Sequence, residues 1–130
     1  MAGRSNLDVE IRPLWQALEA RIDGLGEVER QSRNDLDVFC RDGVPFLQIE
    51  QRRDHLLLDL WLPAEQLQQA RSSGIAKAHP FQEEEAIRVR FERAEDLPRV
   101  ARWLEASHRH AARRAAAGDG QPEQKRLDHR

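Results

Sequence analysis

Asp35-Leu-Asp-Val-Phe-Cys-Arg-Asp-Gly-Val-Pro-Phe-Leu-Gln-Ile-Glu-Gln-Arg-Arg-Asp-His-Leu-Leu-Leu-Asp-Leu-Trp-Leu62 decides the fold. Asp42-Gly43 divides two alternating runs, and both residues tolerate the positive φ of a type I′ hairpin turn. A two-residue loop sets a register in which Arg41 faces Val44, Cys40 faces Pro45 and Phe39 faces Phe46. Continued outward, Val38 faces Leu47, Asp37 faces Gln48 and Leu36 faces Ile49. A second turn at Arg53-Asp54 pairs Ile49 with Leu58, Leu47 with Leu60 and Phe46 with Trp61.

Side chains alternate across a strand, so this register predicts two faces. Leu36, Val38, Cys40, Pro45, Leu47, Ile49, Leu56, Leu58, Leu60 and Leu62 form the core face. Asp35, Asp37, Phe39, Phe46, Gln48, Glu50, His55, Leu57, Asp59 and Trp61 form the other. On that second face Phe39, Phe46 and Trp61 stand in a cross-strand row, a candidate surface for a protein partner, a second copy or stacked bases. The competing reading covers the row with the protein's own tail or loop.

Apolar positions outside the meander take helical spacing twice. Ile11, Leu14, Trp15, Leu18, Ile22 and Leu25 make one stripe, with Pro13 expected in the first turn and a stop at Gly24 or Gly26. Leu97, Val100, Ala101, Leu104, His108 and Ala111 make another, after an acidic start at Glu95-Asp96. Between them, Glu27–Gln31 reads as a short strand, Ala64–Arg71 as a short helix, and 75–85 as a surface loop. Ile87, Val89 and Phe91 alternate with charged residues as a further half-buried strand. The assembly these elements predict is an α+β two-layer sandwich: an antiparallel meander sheet with two main helices on one face. A flexible N-terminus at 1–8, one domain at 9–117 and a disordered charged tail at 118–130 are expected.

Residues 11–116 resemble a family of small bacterial domains of unknown function. The likeness lies in the helix ending near Gly24-Leu25-Gly26, the strands Phe46-Leu47-Gln48-Ile49 and Leu58-Asp59-Leu60-Trp61-Leu62-Pro63, and the Ile87-Arg88-Val89-Arg90 strand before Glu95-Asp96-Leu97. Such domains stand alone or append to the C-terminus of larger, sometimes nuclease-like proteins. Relatives often carry a Gly-His-Trp-like segment before the last strand, where this chain has Ala78-His79-Pro80-Phe81. The resemblance implies a fold and no activity.

The 130 residues are 39% hydrophobic and 34% charged with net charge −2, which disfavours generic nucleic-acid binding. Residues 99–130 nevertheless carry eight basic and four acidic side chains. Arg99, Arg102, Arg109, Arg113 and Arg114 form a basic patch on the last helix, a candidate docking site for an acidic partner or nucleic acid. No apolar run approaches the roughly 20 residues of a membrane span, and no signal core opens the chain, so a cytoplasmic protein with no membrane partner is expected. A single cysteine, Cys40, excludes an intramolecular disulfide and a cysteine-rich zinc site.

No cofactor-binding loop, metalloprotease helix or nucleophile elbow is present. The one polar constellation is Asp37, Gln48 and Asp59 with His55 nearby. Carboxylates separated by one intervening strand stand roughly 10 Å apart, which would admit a water as an inverting hydrolase requires. His79 on a covering loop would complete such a hydrolytic or small-molecule site. A solvated polar face is the plainer account. The leading expectation is a non-enzymatic interaction module using the open sheet face.

Overall fold

A computed structural model describes residues 2–81 and 85–118, with side chains from Ile11 onward. The N-terminus expected to be flexible (1–8) precedes the described side chains, and the expected tail lies, beyond Gly118, outside the described residues. The elements are α1 (Ala2–Asp23), β1 (Glu29–Arg33), β2 (Leu36–Arg41), β3 (Val44–Gln51), β4 (Leu56–Trp61), α2 (Ala64–Arg71), β5 (Ala76–Ala78), β6 (Ala86–Phe91) and α3 (Leu97–Ala116). This is the α+β class that the sequence predicts. The sheet has six antiparallel strands in the order β1-β2-β3-β4-β6-β5.

Asp42 and Gly43 take φ of 54° and 79°, as a type I′ turn requires. Asn34, at φ 47°, stands in the turn between β1 and β2. Pro13 stands inside α1 rather than in its first turn, because the helix extends back to Ala2. The segment 75–85, read as loop, contains the three-residue edge strand β5.

All three helices contribute to one core on one side of the sheet. Leu14, Leu18 and Ile22 of α1, Leu67 and Ala70 of α2, and Val100, Leu104 and Ala111 of α3 join Leu47, Ile49, Leu58, Leu60, Ile87, Val89 and Phe91 from the strands. Arg30 fastens the exposed first strand to α1. Its guanidinium lies 5.5 Å from the Trp15 ring centre and 5.4 Å from that of Phe39, and it donates to Glu19 at 3.3 Å.

The β3–β4 register is the predicted one: Ile49 pairs with Leu58 and Leu47 with Leu60. The β2–β3 register is not. Arg41 pairs with Val44 and Cys40 with Pro45, but Phe39 then pairs with Leu47 rather than Phe46. Phe46 is the extra residue of a β-bulge, and every pairing beyond it is displaced by one. A shift of one exchanges the faces of β2. Phe39 and Asp37 therefore join the helix-covered side of the sheet, while Leu36 and Val38 move to the open side.

Candidate functional site

The open side of the sheet is read from the strand pairings. One cross-strand row runs Arg33, Leu36, Glu50, Leu57, Arg90; the next runs Gln31, Val38, Gln48, Asp59, Arg88, Lys77. Leu36, Val38 and Leu57 are half-buried, Arg33, Lys77 and Arg90 exposed. The helix-covered side is the core, so this polar-apolar face is the sheet surface that no helix covers among the described residues.

Asp59 is the one carboxylate buried on that face, with only 8% of its side chain exposed. A desolvated carboxylate needs compensating donors. Arg88, its cross-strand neighbour, supplies two: Nε to Oδ1 at 2.8 Å and Nη2 to Oδ2 at 3.1 Å. This bidentate pairing raises the Arg88 pKa above its usual value. His79, also buried, brings Nε2 to 3.4 Å from Asp59 Oδ2. Its Nδ1 accepts the backbone N–H of Phe81 at 3.0 Å, and Nε2 also stands 3.4 Å from Arg88 Nη2.

An Asp–His pair acts as a base only when the far ring nitrogen is free to take a proton. Here the far nitrogen accepts the Phe81 N–H. The cluster is a clamp that holds the β5–β6 connection against the sheet.

The other predicted site residues are dispersed. Asp37 lies on the covered side of the sheet, bonded to Ser32 and 3.5 Å from Arg30 Nε, so it does not line up with Gln48 and Asp59. His55 pairs with its neighbour Asp54 at 2.8 Å in the β3–β4 turn, away from Asp59's partners. The carboxylate row expected of a hydrolytic site is therefore not assembled; the bulge at Phe46 separates its members.

The aromatic row is also not formed. Phe39 is 2% exposed, Phe46 0% and Trp61 4%. Phe39 and Phe46 belong to the core, and Phe46 meets the His108 ring edge-on at 5.0 Å. Trp61 lies with the Arg114 guanidinium 5.7 Å from its ring centre. The bulge accounts for the two phenylalanines, since it turns both toward the helices.

Of the basic patch, Arg114 is half-buried, donating to the Pro45 carbonyl at 2.9 Å, and Arg99 reaches the Ser73 carbonyl at 3.4 Å. Arg102, Arg109 and Arg113 are exposed and form no ion pair among the described residues. Spacings of seven and four place them on one stripe of α3.

Two polar residues of α3 take buried roles. Ser107 is fully buried between the strands. His108 donates from Nε2 to the Glu27 carbonyl at 2.9 Å and accepts from Arg41 Nη1 at Nδ1, 3.1 Å. Its place on the apolar stripe of the helix was the available signal for burial.

Among the described residues, no group of three or more His, Cys, Asp or Glu side chains could hold a metal ion, and no helix is long and apolar enough to cross a membrane. Compared with family models, with curated proteins and with solved structures, the chain matches none.

Proposed function

We propose that the chain is a non-enzymatic interaction module that docks a protein partner on the open face of its sheet. The observation that carries this reading is the set of half-buried aliphatics on that face, Leu36, Val38 and Leu57, framed by charged residues. Apolar surface ringed by polar groups is the common anatomy of a docking patch.

Charge chooses between kinds of partner. Arg33, Lys77, Arg88 and Arg90 share the face with Glu50, Asp59 and Glu92, four cations against three carboxylates. Arg88 and Arg90 are paired with Asp59 and Glu92, and the excess that remains, at Lys77 and Arg33, favours an acidic partner chain over self-association. Site-specific photo-crosslinking in cells tests this. A photoreactive residue at Leu36 or Leu57 gives a discrete adduct, one at exposed Gln68 on α2 does not, and Val38→Arg abolishes the adduct. Equal adducts from all positions, or none, count against the open face; an adduct of twice the chain's own mass assigns the face to a dimer.

A second reading has its own observation, the exposed stripe of Arg102, Arg109 and Arg113. Arginine forks suit carboxylate or phosphate. Binding of an acidic polymer through that stripe weakens steeply with salt and fails in the triple Gln variant.

A further inference from the structure

The open face dips at its β5–β6 end into a groove of 320 Å³. Leu57, Ile75, Ala78 and Pro80 give it an apolar lining, and Lys77, Arg88 and Arg90 stand along it. The volume lies near the lower end of the roughly 300–1,000 Å³ typical of ligand pockets, room for a few side-chain-sized groups.

The cations are not equally engaged. Arg90 donates from Nε to Glu92 at 3.0 Å, which neutralises the one carboxylate of the lining. Arg88 is held by Asp59 through Nε and Nη2, leaving Nη1 with no partner among the described residues. Lys77, beside it in the same cross-strand row, forms no ion pair among the described residues. The buried carboxylate fixes the Arg88 guanidinium in place, so an incoming anion meets a donor whose ordering is already complete.

The apolar groups and the two cations not taken by Glu92 occupy successive rows. Leu57 pairs with Arg90, whose N–H bonds to the Ile75 carbonyl at 3.1 Å, so Leu57 and Ile75 flank one row. Arg88 and Lys77 occupy the row two residues along β6. Same-face side chains of an extended chain are likewise two residues, about 6.8 Å, apart.

We propose that this groove receives an extended partner segment with an aliphatic residue at one position and an acidic residue two positions later, the aliphatic side chain beside Leu57 and Ile75 and the carboxylate between Lys77 and Arg88. The inference rests on the open face being the docking surface and names the chemistry it selects.

The test is an NMR titration of the full chain with acetyl-Leu-Ala-Glu-amide and, separately, its neutral isostere acetyl-Leu-Ala-Gln-amide. The Glu peptide is expected to shift the amides of Leu57, Lys77 and Arg88 and to bind at least about tenfold more tightly than the Gln peptide. Lys77→Gln, at an exposed position, removes that preference while leaving the spectrum of the core unchanged. Equal affinities for the two peptides overturn the proposal, as does the absence of shifts at about 10 mM peptide. Open-face crosslinks combined with a null titration defeat this inference alone, whereas shifts without crosslinks defeat the in-cell docking reading alone.

Discussion

Phe46 and Trp61, just beyond the last β3–β4 pair at Leu47–Leu60, are joined through the side chain of a third residue. Ser107 of α3 donates its hydroxyl to the Phe46 carbonyl at 2.6 Å and accepts the Trp61 N–H at 3.1 Å. The bulge ends the β3–β4 pairing at Leu47–Leu60, and the helix replaces the missing rung with a side chain. Ser107→Ala leaves a buried carbonyl and a buried N–H without their partner, a loss of about 1–3 kcal/mol. Urea denaturation is expected to show that loss, with faster hydrogen exchange at the Trp61 amide. Unchanged exchange there would show that water takes over both groups.

Phe46 fills the core rather than a docking surface, and the two roles differ in cost. Truncating a fully buried phenylalanine costs roughly 3–5 kcal/mol, whereas most surface substitutions stay within about 0.5 kcal/mol. Phe46→Ala is therefore expected to remove a large share of a stability of about 5–15 kcal/mol. A denaturation midpoint close to the parent's would return Phe46 to the surface.

Much of this architecture can be read along the chain. Asp42-Gly43 forms its turn because two adjacent residues accept positive φ, and the β3–β4 pairing follows from the leucines of both strands. The bulge cannot be read that way. It is stabilised by Ser107, which stands 61 residues from Phe46 in sequence, and strict alternation gave no reason to interrupt the strand. From that one residue follow the misplaced row of aromatics, the transfer of Asp37 to the covered side and the appearance of Leu36 and Val38 on the open one. The Asp59–Arg88 clamp was hidden differently. Alternation placed Arg88 on a polar face, but which strand lies beside β6 depends on a connection through α2 and β5. Ala76-Lys77-Ala78 carries too little β-propensity to mark an edge strand.

Asp54 supplies a pH-dependent observable. Its hydrogen bond with His55 holds the carboxyl below its ordinary value of 3.8. A depressed carboxyl contributes stability above the unfolded-state pKa and loses it as pH falls through the folded one, so the effect fades below 3.8. Carbon-detected NMR should place the Asp54 midpoint below 3.8, returning toward that value in His55→Ala. An identical midpoint in both proteins would remove the bond from solution.

The Asp59–Arg88 clamp predicts unequal single losses and a partial recovery in the double variant. Arg88→Leu leaves a carboxylate that is 8% exposed without its two strongest donors, at a cost of about 1–3 kcal/mol. Asp59→Leu costs less, because the Arg88 side chain is 30% exposed and its guanidinium can turn to water. Joining both substitutions removes the stranded charge and places two aliphatic side chains as neighbours on adjacent strands, so much of the loss is regained. Urea denaturation of the four proteins should give a coupling of about 0.5–3 kcal/mol. Losses that add within about 0.3 kcal/mol would mean that the two residues stabilise the sheet independently, and that Arg88 is not held in place by the carboxylate beside it.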